Sequence, residues 1–429
     1  MLPSHERTRR FAFEEDTTPT VTMPAITEDM LPTVTFPAIT QDAMPTQPLP
    51  AIVIGKLREL GHRHRPPDAG PPRVLALLPA HNEGLTIGDT IRALQGQTRP
   101  PDWIYVFADN CTDEDEEHPL GVTAETAFAL GASVASTVGN SDRKAGNLNR
   151  ALALLLPGLR DDDIVTGFDA DSVPGEDFIE NALKWLGKGY GAVGATFHGR
   201  PGGRMLGLLQ RAEFARFARH QHRKLHCDVL SGTGWALPAG TLRAVAASRP
   251  QGTVYDVAHI TEDFELTLAV RRMGIAAVAP ADCSVTTDVM ENWRDWGTQR
   301  LRWQHGTLFA LRQYGWSKDT REMIIRQILI YVVMIASPLT AVYLAWSFYL
   351  FGWQGINPLN SPIYAIGITI VVLEQAWQAR RAGSPAILAT LMIGPDLLYS
   401  AARQVIYSRA LWRLVRNRQS SWGAGTSVK

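Results

Sequence analysis

The chain has 429 residues, and its 42 basic and 42 acidic side chains balance to a formal net charge of zero. Because a dedicated nucleic-acid binder carries a basic surface, nucleic acid is not an expected partner. Three widely spaced cysteines fit neither a disulfide framework nor a structural zinc site.

Residues 1–70 are rich in Pro and Thr and lack apolar periodicity, which predicts a disordered tail. Its first 13 residues carry several charges without an apolar core, so no secretory signal is expected there. Within the tail, PTVTMPAITEDM recurs as PTVTFPAITQDAM, a 13-residue repeat that is too short for a solenoid. The repeat is interpreted either as a doubled docking or phosphorylation motif or as a drifted duplication in a solvated segment.

Residues 71–290 alternate short apolar runs with helical stretches, a pattern that predicts parallel strands joined by crossover helices. The predicted strands are Val74 to Leu78, Trp103 to Ala108, Ser133 to Ala135, Ile164 to Phe168 and Ala192 to Thr196. The predicted helices are Leu85 to Gln95, Ala124 to Leu130, Ala145 to Leu155 and Asp177 to Leu186. The expected fold class is α/β, a doubly wound and mostly parallel sheet that binds ligands at the carboxyl ends of its strands.

An acidic pair, Asp169 and Asp171, directly follows the apolar strand that ends in Phe168. Two carboxylates two residues apart offer oxygen ligands to a hard cation, Mg²⁺ or Mn²⁺, which would stabilise the charge on a departing diphosphate. An isolated pair of this kind is usually a solvated acidic loop, but the position at a strand end favours a metal site.

Two neighbouring strands end in candidates for nucleotide binding. PAHNE, which contains Ala80 and Glu83, follows the first strand, and Asp109 follows the second, where it could accept a hydrogen bond from a base. Lys144 and Gly146 open a helix, which indicates either a phosphate cradle or an ordinary solvated helix start.

Two later motifs are candidates for the catalytic and acceptor end. Thr261-Glu262-Asp263 opens a helix that runs to Met273, and it indicates either a helix cap with acids at the positive end of the dipole or a buried general base. Gln299, Arg302 and Trp303 fall on one face of a predicted helix. They could contact a diphosphate and a sugar ring, or mark an amphipathic interfacial helix, or do both.

Two weaker patterns carry less information. SGTGWAL, Ser231 to Leu237, predicts a Gly-rich loop near the acceptor and lacks the lysine of a phosphate-binding loop. His220, His222 and His226 lie in a basic helical run, which predicts a solvated or membrane-facing surface rather than a metal site.

An interfacial segment at 291–326 leads into a predicted membrane region at 327–429. Residues 328–353 carry no charge and are long enough to span a bilayer, and a second span is predicted at 361–379. Basic residues flank both, so both flanks are expected in the cytoplasm. A re-entrant segment or third span at about 385–402 precedes a basic cytoplasmic tail. The expected location is the cell membrane, multi-pass, with the catalytic domain in the cytoplasm.

Taken in order, PAHNE, ADN, KAGNLN, FDADS, TED and QRLRW resemble the motifs of processive family 2 glycosyltransferases, such as cellulose, chitin, hyaluronan and poly-N-acetylglucosamine synthases. The resemblance covers roughly Arg73 to Trp303 and implies a GT-A fold followed by transmembrane helices, a UDP-sugar donor, and inversion at the anomeric carbon. It implies donor binding by Ala80, Glu83, Asp109, Lys144 and Asp169, metal binding by Asp169 and Asp171, catalysis by Asp263, and acceptor or diphosphate contacts by Glu262, Gln299, Arg302 and Trp303.

The implied function is sugar transfer from a UDP-sugar, with UDP-GlcNAc or UDP-glucose favoured, to a growing polysaccharide or saccharide at the lipid bilayer. One alternative is transfer of a single sugar to a lipid-linked or protein-linked acceptor. Another is a non-catalytic, nucleotide-binding membrane scaffold. Because synthases of this branch usually carry a span before the catalytic domain, an export channel is expected only with a homo-oligomer or an export partner.

Overall fold

The computed structural model describes residues 51–52, 70–114, 118, 121–224, 226–357, 366, 369, 373, 377, 380, 387 and 393–416. All of them belong to one of two units of the chain, Ile39–Lys429. The predicted Pro/Thr-rich tail with its repeat, except for residues 51–52 and 70, lies outside the described residues. So does the predicted second span at 361–379, except for isolated positions.

The strands are β1 (Ala51–Ile52), β2 (Val74–Ala80), β3 (Trp103–Asp109), β4 (Ser133–Thr137), β5 (Ile164–Gly167), β6 (Val173–Pro174), β7 (Ala192–Gly194), β8 (Thr196–Gly199), β9 (Trp235–Pro238), β10 (Ala277–Val278) and β11 (Ser284–Thr287). The helices are α1 (Ile87–Gln95), α2 (Val122–Ala129), α3 (Arg143–Leu155), α4 (Phe178–Gly187), α5 (Arg204–Lys224), α6 (Ala239–Ala247), α7 (Glu262–Arg272), α8 (Trp293–Tyr314), α9 (Arg321–Phe351) and α10 (Ile393–Val415).

The main sheet has the strand order β1-β4-β3-β2-β5-β9-β7-β10. Strands β4, β3, β2 and β5 are mutually parallel, whereas β9 runs antiparallel to both of its neighbours. Along β2, Leu75 and Leu77 belong to the core on one face of the sheet, and Ala76 and Leu78 to the core on the other. A strand buried on both faces is typical of a parallel sheet covered by helices. The predicted α/β fold with a mostly parallel sheet is confirmed.

The predicted elements between residues 74 and 187 coincide with observed ones, and their ends differ by at most two residues. The predicted strand Ala192 to Thr196 is wrong in one respect, because the chain changes sheets at Ala195. The Ala195 amide donates to the Gly234 carbonyl, whereas the Thr196 amide donates to the Cys283 carbonyl, both at 2.8 Å. The segment therefore becomes β7 of the main sheet and β8 of a second sheet ordered β6-β11-β8.

The interpretation of SGTGWAL as a loop is correct only for its first half. Residues 235–238 form β9, which inserts between β5 and β7, and Trp235 is 3% exposed. Its indole lies against Gly167, where an added Cβ would be 2.3 Å from the ring. A tryptophan of this size is buried because it fills the space that the glycine leaves.

The C-terminal part begins with α8 and α9. Within the described part of the chain, Arg321–Gly355 is the one helical stretch long and apolar enough to cross a membrane, and none of its apolar window is buried. It contains the predicted span 328–353. Of the segment predicted as a re-entrant or third span at about 385–402 and the basic tail after it, residues 385–392 lie outside the described residues except for position 387, as does the tail after residue 416, and residues 393–415 form the single helix α10. Tyr399, Ile406 and Ala410 are buried along one face of α10, and this apolar face explains its packing on the α5 and α8 side.

Candidate active site

A cleft lies at the carboxyl ends of β2 and β5, the edge where parallel sheets bind ligands. Its walls include Pro79, Lys144, Gly232, Tyr255, Glu262 and Asp263. The helix starts of α3 and α7 therefore meet the strand ends at one place.

Asp109, at the end of β3, is held on both carboxylate oxygens. The Thr137 hydroxyl donates to Oδ1 at 2.6 Å, and the Asn140 amide donates to Oδ2 at 2.8 Å. Burial raises the pKa of Asp109 above its usual value, although these hydrogen bonds oppose the change. Sequence reasoning missed Thr137 and Asn140, which lie at and just beyond the end of β4, the next parallel strand.

Gly146 is explained by packing rather than by phosphate binding. A Cβ at this position would lie 2.5 Å from Asn140 Oδ1 and 2.5 Å from the Asp142 Cβ. The glycine allows the first turn of α3 to approach the loop that holds Asp109. The interpretation of Gly146 as part of a phosphate cradle is therefore not needed to account for this residue.

Lys144 projects from the first turn of α3 into the cluster of acids. Its ammonium pairs with Asp169 Oδ1 and lies 3.5 Å from Glu262 Oε1. Burial lowers the pKa of Lys144, but the neighbouring carboxylates of Asp169 and Glu262 outweigh burial and hold the pKa above its usual value. Gly232 makes room for this pair, because its Cβ would lie 2.5 Å from the ammonium. Lys144 therefore carries a permanent positive charge in the cleft.

The two acids of the D-x-D pair have different surroundings. Asp169 pairs with Lys144, and its backbone amide donates to the Gly232 carbonyl at 2.8 Å. Asp171 accepts from the Ser172 hydroxyl at 3.1 Å. Burial, followed by the charges of Asp169 and Glu83, raises the pKa of Asp171 to about 7. The side chains near Asp171 therefore carry more negative than positive charge.

The PAHNE segment places the carboxylate of Glu83 and the backbone of Ala80 at the end of β2. The Thr86 hydroxyl donates to Glu83 Oε2 at 2.8 Å, and the Glu83 amide donates to the Thr123 hydroxyl at 2.8 Å. Burial raises the pKa of Glu83, and the charge of Asp169 raises it further. The side chain of Ala80 is 4% exposed and lies in the core, so its backbone is the part of the residue at the strand end.

Asp288 is an acid of this cluster that sequence reasoning missed. β11 pairs antiparallel with β6 so that Thr286 faces Val173, and continuation of this register places Asp288 opposite Asp171. The charge of Asp288 raises the pKa of both Asp171 and Glu83, and its carboxylate also pairs with Arg200 Nη1 at 3.3 Å. The signal in the sequence is an acid that directly follows the short strand SVTT.

The Thr261-Glu262-Asp263 motif does not form the predicted side-chain cap. The buried Thr261 hydroxyl has no hydrogen-bond partner among the described residues, and no side chain caps α7. Instead, Glu262 lies beside Lys144, and Asp263 Oδ1 accepts from the Phe264 amide at 2.7 Å. Burial and the charge of Glu262 raise the pKa of Asp263 to about 6, against the opposing charge of Lys144. Both acids lie in the first turn of α7, at the positive end of the helix dipole, and both also line the cleft.

Helix α8, which carries the Q-x-x-R-W residues, contacts this motif through Gly306. Gly306 contacts Thr261, because a Cβ on Gly306 would lie 2.4 Å from the Thr261 hydroxyl. Residues spaced by three or four lie on the same face of a helix. Gln299, Arg302 and Trp303 therefore share a face of α8 with Gly306, the residue that contacts the start of α7.

The three histidines of α5 and its following loop, predicted to lie on a solvated or membrane-facing surface, also have polar neighbours within the chain. His222 Nε2 lies 2.8 Å from the Thr196 hydroxyl. His220 Nε2 and His226 Nε2 lie 3.5 and 3.8 Å from Asp228, which Arg326 of α9 also contacts at 2.8 Å. The side chains of His220 and His226 are 41% and 27% exposed, so part of this run lies at the surface.

Asp256, His259 and Glu265 also lie together, with candidate ligand atoms within 4.8 Å of one another. Both Glu265 oxygens are already engaged, because Arg249 Nη2 donates at 2.8 Å and the Tyr314 hydroxyl at 2.6 Å. A guanidinium this close opposes a second cation. We therefore assign no metal to this group.

The chain was compared with protein families, with curated proteins and with solved structures. The family model described as "Glycosyltransferase like family 2" matches residues 71–306. No curated protein matches the chain. Among solved structures, the chain is similar to a mannosyltransferase from Pyrobaculum calidifontis in complex with GDP-Man and Mn²⁺, with 20% identity over 82% of this chain and 89% of that chain and a TM-score of 0.49. It is also similar to glucosyl-3-phosphoglycerate synthase from Mycobacterium tuberculosis in complex with Mn²⁺, UDP and glucosyl-3-phosphoglycerate, with 20% identity over 56% of this chain and 80% of that chain and a TM-score of 0.38.

Proposed function

This chain belongs to the family 2 glycosyltransferases, and from this membership we propose that it transfers a hexose from a UDP-sugar to a saccharide acceptor at a membrane. The observation that carries the proposal is the meeting of Lys144, Asp169, Glu262 and Asp263 in one cleft at the carboxyl ends of the strands. UDP-GlcNAc and UDP-glucose are the favoured donors. The proposed product is a growing saccharide chain.

The residues around Asp171 fit a divalent cation, Mg²⁺ or Mn²⁺. Burial raises the pKa of Asp171, and the negative charges of Asp169, Glu83 and Asp288 raise it further; a hard cation with oxygen ligands would relieve this repulsion. Asp169 and Asp171 would hold the ion. When bound, the cation stabilises the negative charge that develops on the departing diphosphate.

Donor binding is proposed to use Asp109 for the base and Lys144 for the diphosphate. Asp109 presents a carboxylate that Thr137 and Asn140 orient, so it can accept a hydrogen bond from the N3–H group of a uracil ring. Lys144 supplies a fixed positive charge for the diphosphate, once its pairing with Asp169 is exchanged for pairing with phosphate. Glu83, whose pKa is raised by burial and by the charge of Asp169, adds to the negative charge near the cation site.

Asp263 is proposed as the general base. A base works best when its pKa lies near the working pH, and the raised pKa of Asp263 satisfies this condition. The acceptor hydroxyl gives its proton to the Asp263 carboxylate, and its oxygen forms a bond to the anomeric carbon. The bond between that carbon and the diphosphate oxygen breaks, and UDP leaves with the electron pair. One direct displacement inverts the anomeric configuration.

The membrane part of the proposal rests on α9. Apolar side chains along this helix, among them Leu329, Val333 and Leu339, are more than half exposed. A bilayer would cover such a surface, and Arg321 and Arg326 at its start favour the cytoplasm for the catalytic domain. We extend the proposal to a second span at 361–379, a multi-pass anchor in the cell membrane. Export of a polymer would then need a second copy of the chain or an export partner.

The test is release of UDP by the full-length protein in detergent, measured for a panel of UDP-sugars with Mn²⁺ or Mg²⁺. We expect release from one donor, its loss in chelator, and its loss in Asp263→Asn. Wild-type protein that is folded, binds UDP and turns over no donor would instead favour the nucleotide-binding scaffold. Product length with membranes present separates chain extension from transfer of a single sugar to a lipid-linked or protein-linked acceptor.

A further inference from the structure

We propose that Glu213 and Tyr399 are positioning residues that tie the C-terminal helix α10 to the acceptor end of the active site. Through Arg300, these two residues hold the side chains of Gln299 and Trp303. The inference rests on the proposed transferase function and goes beyond it, because it makes the docking of α10 a requirement for acceptor use.

The centre of the arrangement is the carboxylate of Glu213 on α5. Its Oε2 accepts from Arg300 Nη2 at 2.7 Å, from Arg300 Nε at 3.2 Å, and from the Tyr399 hydroxyl at 2.5 Å. Its Oε1 lies 3.7 Å from Arg403 Nη1. One acid thus joins three helices, because Arg300 belongs to α8 and both Tyr399 and Arg403 belong to α10.

The pocket around these groups is closed. Trp296, Arg300 and Tyr399 are 1%, 3% and 1% exposed, and the Trp296 indole donates to the Tyr399 hydroxyl at 2.9 Å. Burial opposes the charge of Glu213, yet Arg300 and Arg403 outweigh burial and lower its pKa, so the acid stays ionised. Removing one partner of a buried charge destabilises the folded protein strongly. The side chains around Glu213 are therefore held in one arrangement.

Arg300 connects the Glu213 carboxylate to two of the Q-x-x-R-W residues, Gln299 and Trp303. Its Nη1 donates to Gln299 Oε1, and its guanidinium lies 4.4 Å from the centre of the Trp303 ring. The same guanidinium therefore contacts Glu213, the Gln299 amide and the Trp303 indole. If α10 leaves, Glu213 loses Tyr399 and Arg403, and Arg300 is free to follow the carboxylate into solvent. Gln299 and Trp303 then lose the group that orients them.

The experiment compares Tyr399→Phe with wild-type protein in detergent. Two quantities are measured: release of UDP from the donor without acceptor, and transfer to a tetrasaccharide of the donor sugar, chitotetraose or cellotetraose. Hydrogen exchange of the backbone over residues 296–306 is measured in parallel. We expect kcat/KM for the tetrasaccharide to fall about tenfold, the effect of a lost hydrogen bond to a charged group, while donor-only release changes by less than about twofold. Exchange over 296–306 should become faster.

Tyr314→Phe is the matched control for stability. It removes another hydroxyl that donates to a buried carboxylate, Glu265, at 2.6 Å, on the same helix α8. We expect a similar decrease in Tm in both variants but faster exchange over 296–306 only in Tyr399→Phe. Glu213→Gln, which keeps the shape of the side chain and removes its charge, should reproduce the effect and serves if Tyr399→Phe does not fold.

Two results would overturn the inference. One is unchanged transfer and exchange in both Tyr399→Phe and Glu213→Gln. The other is an equal decrease of donor-only release and transfer, since that is the mark of a purely structural role. If wild-type protein turns over no donor, the proposed function fails instead, and the exchange comparison still decides whether α10 orders residues 296–306.

Discussion

Replacing the proposed base, Asp263→Asn, should inactivate the protein and stabilise it at the same time. The substitution keeps the size of the side chain and the oxygen that accepts from the Phe264 amide. The raised pKa of Asp263, about 6 against an ordinary 3.8, means that its ionised form costs about 3 kcal/mol of folding free energy, an order-of-magnitude figure.

The sign of this effect follows from the direction of the change in pKa. A carboxyl whose folded pKa is raised gives the most stable fold at pH values below its unfolded pKa. Stability then decreases as the pH rises toward about 6, and the full cost is present at pH 8. Asparagine carries no charge, so it avoids this cost. The Asn variant should therefore have a higher Tm than wild type at pH 8, by several degrees, and little advantage near pH 4.

Activity should change in the opposite direction. Loss of a general base typically lowers turnover by about 10² to 10⁴. The assays are UDP release and thermal unfolding of both proteins at pH 4.5 and pH 8, with UDP binding as a check on the donor site. An inactive variant that is also less stable at pH 8 would show that Asp263 supports the fold, and an active variant would refute its role as base.

Three further predictions concern the donor site, the cation and the contact between α7 and α8. Asp109→Ala should raise the KM for the donor about tenfold or more with a smaller effect on kcat, because a hydrogen-bonded carboxylate to the base is lost; equal donor affinity in a binding assay would contradict this role. Asp171 has its pKa raised to about 7 by burial and by Asp169 and Glu83, so a proton competes with the cation below that pH. The Mn²⁺ concentration needed for half-maximal UDP release should therefore increase as the pH falls from 8 to 6, whereas a constant requirement would count against Asp171 as a ligand. Gly306→Ala places a Cβ 2.4 Å from the Thr261 hydroxyl and should destabilise the fold by about 1 to 3 kcal/mol and reduce transfer more than donor-only release. If Gly306→Ala were as stable and as active in transfer as the wild type, α8 would tolerate displacement from the start of α7.

The donor half of the site was largely predictable because parallel strands end at one edge of the sheet. A motif that follows a buried strand is therefore placed in space by its position in the sequence. Asp109, Asp169 and Lys144 could be predicted to lie near one another on this argument. Their ionic partners could not, because Lys144 also reaches Glu262, which belongs to a distant helix.

The spacing of apolar residues in the sequence predicts whether a segment is a helix or a strand, and it predicts which face of that element is buried. It does not state which other element covers that face. Thr261 reads as a helix cap in the sequence, and only the approach of Gly306 from α8 shows that its hydroxyl is enclosed instead. The insertion of β9 and the switch from β7 to β8 at Ala195 likewise depend on hydrogen bonds between distant segments.

The sequence by itself therefore determined the fold class, the strand-end acids and the family resemblance, since each depends on local pattern and order. Tertiary structure decided how the C-terminal part meets the catalytic domain. The predicted basic tail begins at residue 403, and its residues up to Val415 continue a helix whose Tyr399 reaches Glu213, a contact that no local pattern predicts. The physical reason is that a buried charge is stable only with partners brought from several elements, and such a meeting leaves no periodic signal in any one of them.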